Sequence, residues 1–281
     1  MPQASSPPTH RFWRHKALAF AQSRCARDST ACYAPHTHTA FSIGAVDGGS
    51  SVFSHGLHKQ RLERGDVVFI PAGEVHACNP ENAAAWCYQM LYLDENWLEQ
   101  VVGELAQLDA IALTQAGGDK PPQQIHAGLT ALNACLFGAT TLADKEAALV
   151  CFAAETFSPA QALYAAADSS IKPPRLEAVK TLILDRCSEH LPLETLAETA
   201  GMSRYHFIRA FQRSVGMTPH AWQLDARINR ARALLEQGMP LAQIALTLGF
   251  ADQAHFQRAF KQRVAVTPNQ YRRNILQYPA S

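Results

Sequence analysis

No run of apolar residues in this chain approaches the roughly 18 that a membrane-spanning helix requires. The first residues, MPQASSPPTHRFWRHK, lack the apolar centre of a signal peptide. These two absences exclude a membrane span and a secretory leader from the reading, and a soluble cytoplasmic protein is expected. The seven cysteines include no CxxC pair, and an odd number without such pairs fits reduced thiols rather than a disulfide framework. Net charge is also nearly absent, at +1 over 281 residues. The total therefore points to no partner.

The distribution of that charge is more informative. From Ile171 onward there are 15 Lys and Arg against 8 Asp and Glu, whereas the first 170 residues hold 10 against 16. An acidic front and a basic back imply that only the back meets a polyanion. Residues 1 to 15, rich in Pro and Ser, read as an arm. Short β-type runs follow (FSIGAV, SVFS, DVVFI, WCYQMLYL), separated by Gly, Asp, Asn and Pro, which favours a small barrel or sandwich. In the last run Trp86, Tyr88, Met90 and Tyr92 share one face. From Glu95 the stretches DENWLEQVVGELAQL, PQQIHAGLTALNACLF and DKEAALVCFAAETF have helical spacing. ADSSIKPPRLE then reads as a linker, and everything after Arg175 as helices.

The basic part is written twice. At an offset of 48, Ala197 and Gly201 meet Ala245 and Gly249. After a one-residue insertion, at offset 49, His206, Phe207, Arg209, Ala210, Phe211, Val215, Thr218 and Pro219 meet their counterparts from His255 to Pro268. Each copy reads as helix, tight turn, helix, with Gly201 supplying a positive φ and Ser203 capping the next helix. Phe207, Phe211 and Val215 form the buried stripe of the first copy, and Phe256, Phe260 and Val264 that of the second. Tyr205, Ile208, Arg209 and Gln212 lie opposite the first stripe; Ala254, Gln257, Arg258 and Lys261 lie opposite the second. Between the copies TPHAWQLDARINRARALLEQG is one amphipathic pattern. A helix of about 20 residues spans about 30 Å, close to the roughly 34 Å between successive major grooves on one side of B-DNA. One chain can thus set two recognition helices in adjacent grooves.

LAETAGMSRYHFIRAF, RINRARALL and IALTLGFADQAHFQRAFKQRVAVTPNQYRR together resemble the DNA-binding domain of the AraC/XylS family of bacterial transcription regulators. The resemblance spans residues from about 175 to 274 and implies a double helix-turn-helix with double-stranded DNA as partner. It places DNA contacts at Arg204, Tyr205, Ile208 and Arg209, and at Gln253, Ala254, His255, Gln257, Arg258 and Lys261. Ala265 departs from the family, which usually has Gly there, as Gly216 stands in the first copy.

In the front part, PHTHTAFSIG puts His36 and His38 on one strand face, and GDVVFIPAGEVHACN does the same for His76 and Cys78. The pattern G-x5-P-x-G-x2-H, from Gly65 through Pro71 and Gly73 to His76, resembles the second cupin motif, and H-x-H the core of the first. Regulators of the AraC type often carry such a sensing domain here. Metal-binding cupins add a Glu soon after H-x-H, where this chain has Ser42 to Gly44. His36, His38 and His76, with Cys78, are effector-binding candidates: ligands of a divalent transition metal such as zinc or nickel, polar contacts for an organic effector, or buried structural groups. Redox sensing by Cys25, Cys32, Cys78 and Cys87 is a weaker reading, because no basic cluster adjoins them to lower a thiol pKa.

The expected fold is α+β: a cupin-like barrel over 1–95, a helical dimerisation region over 96–165, a linker over 166–174 and the double helix-turn-helix over 175–276. The expected function is ligand-responsive, sequence-specific regulation of transcription by a homodimer that contacts DNA and RNA polymerase. A cupin metalloenzyme with an accessory helical domain is the rival reading.

Overall fold

A computed structural model describes residues 9–56, 58–109, 121–157 and 174–276. The proposed linker lies outside the described residues, except for Pro174. The front part holds eight strands: β1 (Thr9–Arg14), β2 (Ala21–Ser29), β3 (Phe41–Gly48), β4 (Ser50–His55), β5 (His58–Glu63), β6 (Val67–Ile70), β7 (His76–Pro80) and β8 (Trp86–Leu93). They form a five-stranded sheet in the order β1-β2-β8-β3-β6 and a three-stranded sheet in the order β5-β4-β7, with antiparallel pairing throughout. Among the described residues no ladder closes these two sheets into one barrel; an isolated bridge between His36 and His76 ties the loop before β3 to the smaller sheet. The N-terminal segment expected to be an arm supplies the edge strand β1.

β8 shows why the larger sheet sits where it does. Its even-numbered residues Trp86 and Tyr88 turn into the space between the sheets with Val46, Leu62, Val68 and Ile70. Its odd-numbered residues Leu91 and Leu93 pack on the other side, against helices α1 (Glu95–Asp109), α2 (Pro122–Phe137) and α3 (Leu142–Thr156). Thr141 and Asp144 begin α3 with a reciprocal capping box. Among the described residues no helix is long and apolar enough to cross a membrane.

The basic part contains α4 (Pro174–Asp185), α5 (Leu193–Thr199), α6 (Arg204–Val215), α7 (Pro219–Glu236), α8 (Leu241–Thr247), α9 (Gln253–Val264) and α10 (Pro268–Leu276). α5–α6 and α8–α9 are the two helix-turn-helix units, and α7 joins them. Its 18 residues correspond to about 27 Å. Phe207 and Phe211 are buried in one core, and Phe256, Phe260 and Val264 in the other. Ser203 and Asp252 cap α6 and α9 by accepting from the amides of His206 and His255. Gly201 and Gly249 both have positive φ at the turns.

Ala265 ends α9 at φ +63°, the same left-handed conformation that Gly216 adopts after α6 at φ +82°. The turn geometry is therefore kept in spite of the methyl group. Left-handed backbone strains an L-residue, so Ala265→Gly is expected to stabilise the chain by about 0.5–1 kcal/mol, the relief exceeding the added unfolded-state entropy. Chemical denaturation with an unchanged m-value would show it; a fall in stability would mean that packing of the methyl group outweighs the strain.

Candidate functional site

The two sequence segments carrying the front histidines meet. His36 and His76 exchange main-chain hydrogen bonds at 3.0 Å each way, and Gly73 N donates to His38 O at 2.8 Å. The three imidazoles come to centroid separations of 4.5, 4.8 and 4.9 Å. One ring nitrogen from each lies within 4.8 Å of the others, and all three residues are buried. His36 Nδ1 faces Ala34 O and His76 Nδ1 faces Glu74 O, each at 3.0 Å. In the tautomer that donates these bonds, Nε2 is left with its lone pair. His38 Nδ1 is buried without a hydrogen-bond partner. Burial holds the pKa of all three well below the ordinary histidine value, that of His76 at about 4. The cluster is neutral at pH 7.

These rings line one cavity of about 50 Å³ between the two sheets. Cys78 joins the lining, and burial pushes its thiol up to about 12. Cys25 is likewise raised to about 11, so neither thiol has the thiolate character that redox sensing needs. Trp86, Tyr88, Met90 and Tyr92 line the cavity from one face of β8. A Cβ on Gly44 would come within 2.9 Å of Met90 Sδ, so any side chain there would have to displace the methionine.

Sequence reasoning missed several lining residues. Arg24 is buried, with its guanidinium 5.0 Å from the Phe12 ring centroid and Nη2 donating to Tyr33 Oη at 2.9 Å. Gln89 links the cavity wall to α2, accepting from Asn133 Nδ2 at 2.6 Å and donating to Thr130 Oγ1 at 2.9 Å. Arg232 of α7, with Arg263 and Val264 of α9, closes the cavity from the helix-turn-helix side. His38, Tyr92 and Arg232 also line a second, polar cleft of about 240 Å³ between the sheets and the helices. No signal in a single sequence brings β2, α7 and α9 to the same place.

Among the described residues the lining contains no Asp or Glu. Arg263 has Asp225 as a buried partner at 3.6 Å. Arg232 donates to Tyr271 Oη at 3.2 Å, while nearby Glu236 pairs with Arg14. Among the described residues Arg24 has tyrosine and histidine partners but no carboxylate. With neutral imidazoles, the cavity carries an uncompensated positive charge.

The pKa shifts set an acid response. Each cavity histidine binds its proton less readily folded than unfolded, so stability falls as pH drops from about 6.5 toward about 4, the value held by His76. Asp225 opposes this: burial raises it to about 6, so the folded chain gains stability as that carboxylate protonates. Three histidines against one aspartate give a net loss. Denaturant midpoints at pH 7.5 and 5.0 should show lower stability at pH 5.0, with a smaller difference in His76→Asn; equal midpoints would contradict the buried, neutral cluster.

On the basic part, Arg204, Tyr205, Arg209, Gln253, Ala254, Arg258 and Lys261 are exposed, whereas Ile208, His255 and Gln257 are half-buried. Tyr205 keeps 64% of its surface in solvent, unusual for an aromatic side chain, and its hydroxyl accepts from Arg209 Nη1 at 2.9 Å. Arg204 pairs with Glu194 of α5, and the His255 ring sits edge-on to Phe250 at 5.4 Å. The paired units present polar, arginine-bearing faces of the kind that enters a major groove.

Comparison with known proteins agrees with this architecture. A family described as an AraC-like ligand binding domain matches residues 23–151, and one described as a helix-turn-helix domain matches residues 196–274. An HTH-type transcriptional regulator of Haemophilus influenzae is 37% identical over 102 residues, 36% of this chain and 34% of that protein, so this chain spans about a third of that relative. The HTH-type transcriptional regulator YbfI of Bacillus subtilis is 24% identical over 78% of this chain and 80% of its own length. The crystal structure of apo ToxT K231A from Vibrio cholerae superposes with a TM-score of 0.55 at 14% identity, covering 96% of this chain and 98% of that one, a likeness of fold. Both matched families are the parts of transcription regulators, so the metalloenzyme reading is not favoured. A ligand-binding sandwich followed by two helix-turn-helix units places this chain in the AraC family of DNA-binding transcription regulators.

Proposed function

We propose that this regulator responds to a small organic anion held against His36, His38, His76 and Arg24. The observation that carries this reading is the cavity's wall: it is built from both the sandwich and the helix-turn-helix domain, and its charge is positive without a carboxylate to balance it. A buried cation is costly unless paired, and a carboxylate ligand completes the pair at Arg24. Aromatic and aliphatic side chains receive the rest of the molecule. Occupancy then shifts the population between arrangements of the two domains and so changes DNA affinity. We assign helices α1 to α3, where Leu142 and Val150 are exposed, to pairing of two copies, and RNA polymerase as the protein partner of the DNA-bound dimer.

A second reading has its own support. With Nδ1 held by main-chain carbonyls, His36 and His76 present Nε2 in the manner of metal-ligating histidines. Three neutral imidazoles suit zinc or nickel. A dication beside Arg24 adds to the positive charge, so such a metal would also need an anion with it.

Genome-wide mapping of bound sites supplies the operator. The full-length chain is then screened with small carboxylates, neutral sugars of similar size, and zinc and nickel salts, reading thermal stability and operator binding. A carboxylate at 100 times its Kd should stabilise by about 2.7 kcal/mol and alter operator affinity, and both effects should vanish in Arg24→Met and in the His38→Ala/His76→Ala double variant. A sugar giving the full response would overturn the anion assignment; a full response in the double variant would remove the histidines from sensing.

A further inference from the structure

The residues beside the cavity histidines in the chain are the ones that reach into the DNA-binding domain. Thr37 stands between His36 and His38. Its amide donates to Asp225 Oδ2 of α7 at 3.0 Å, and its hydroxyl donates to the same oxygen at 2.6 Å. Asn229, one turn on, donates to Thr37 Oγ1 at 3.0 Å, and Arg263 of α9 faces the other oxygen of Asp225 at 3.6 Å. Thr37 and Asp225 are both buried. Val75, immediately before His76, is buried in the core of the first helix-turn-helix unit with Phe207, Phe211 and Met217. Three residues before Thr37, the Ala34 amide donates to Gln262 O of α9 at 3.0 Å.

Extended backbone sends successive side chains to opposite sides. Here the histidines point into the cavity, and Thr37 and Val75 point out of it into the two reading units. We infer that Thr37 and Val75 transmit the state of the cavity to the DNA-binding domain, Val75 acting on the α5–α6 unit and Thr37, through Asp225, on α7 and α9. A ligand that draws His36, His38 or His76 inward turns the same short backbone segments, and each outward side chain moves with them. The two reading units are gripped at separate points, so what changes is their orientation relative to each other, which sets how well both fit adjacent grooves. Thr37 and Val75 are positioning residues: they do not line the cavity and they lie away from the exposed recognition faces.

This rests on the cavity being the sensing site, but its test uses no effector, so the two ideas fail separately. Hydrogen exchange is measured on the full chain in wild type, Thr37→Val, Thr37→Ser, Val75→Ala, and each with the cavity-side change His38→Ala or His76→Asn. The bond from Thr37 is a buried one to a charged group, and its loss should speed exchange of the α7 amides around Asp225, and of the C-terminal half of α9, by about tenfold. Thr37→Ser keeps the hydroxyl and should behave as wild type. His38→Ala should speed the same amides while β3 stays protected, and should add nothing once Thr37→Val is present. His76→Asn should do the same to α6 through Val75, which also covers the case in which His38→Ala does not fold. Additive effects of the inward and outward changes, or Thr37→Val leaving α7 and α9 at wild-type rates, would overturn the inference. Propagation intact with no carboxylate, sugar or metal bound would instead overturn only the effector assignment.

Discussion

Phe12→Ala should lower the unfolding free energy of the full chain by about 3–5 kcal/mol, the usual cost of deleting a buried aromatic ring. Phe12 belongs to β1 by chain position, yet its ring lies in the core of the second helix-turn-helix unit among Ile228, Leu235 and Phe260. It meets Tyr271 edge-on at 5.6 Å, and the Arg24 guanidinium lies over it at 5.0 Å. One side chain therefore joins the edge of the sandwich, the cavity arginine and the reading head. The loss should be read by denaturant unfolding followed separately through hydrogen exchange of α10 and of β2. A drop confined to β2 would place the ring in the sandwich alone, and a change under about 1 kcal/mol would mean that the site collapses around the missing ring. A C-terminal fragment beginning near Arg175 lacks Phe12 and Val75 and so exposes two core faces that the full chain covers.

The contribution of Phe12 also marks where the sequence stops being legible. THRFWR follows a Pro- and Ser-rich start and has no long alternation, so it reads as part of an arm; only pairing with β2 makes it a strand. β2 itself, AQSRCARDS, mixes charged and small residues because one face meets the cavity through Arg24 and the other meets Asn133 through Ser23. β5, HKQRLE, is an edge strand with only Leu62 buried, and its pattern is nearly all polar. By contrast, the helix-turn-helix stripes follow one-sided burial, where the period of 3.6 shows directly in the residues, and β8, buried on both faces, reads as a nearly continuous apolar and aromatic run. Boundaries there agree within a residue or two: α7 runs from Pro219 to Glu236 inside the amphipathic stretch TPHAWQLDARINRARALLEQG.

The candidate site divides in the same way. The histidine triad is readable because H-x-H and the Gly-Pro-Gly-His spacing are local patterns: the first brings His36 and His38 to one side of the segment before β3, and the second sets His76 at the start of β7. Convergence of the two segments is what the cupin resemblance implies, and the His36–His76 bridge is what joins them. The arginines are not readable. Arg24 resembles any charged residue on a mixed strand, and Arg232 lies inside RINRARALL, where a DNA-binding role is the natural assignment for every basic residue. In the folded chain Arg232 instead lies 5.9 Å from the Tyr92 ring centroid and lines the cavity, turned away from the recognition faces. Burial of a charge is decided by tertiary packing, which leaves no period in the sequence.

Replacing Arg209 and Arg258 together by Ala should reduce discrimination for the operator by about 2–6 kcal/mol, from two contacts of about 1–3 kcal/mol each that add because they read separated base pairs. The two arginines occupy equivalent positions of α6 and α9, 49 residues apart, and both are exposed. Arg209 is steadied by Tyr205, whose hydroxyl accepts from it at 2.9 Å while the ring lies under the guanidinium at 5.6 Å. That arrangement reduces the side-chain entropy lost on forming a bidentate contact with guanine. Each single variant should weaken binding to the mapped operator while leaving binding to scrambled DNA nearly unchanged. Salt dependence separates the alternatives. If the arginines read bases, the slope of log K against log salt stays close to wild type. If they hold phosphates, affinity for operator and scrambled DNA falls equally, and the slope decreases by about one per residue. That second outcome, or wild-type operator binding by the double variant, would move the reading surface off the outer faces of α6 and α9.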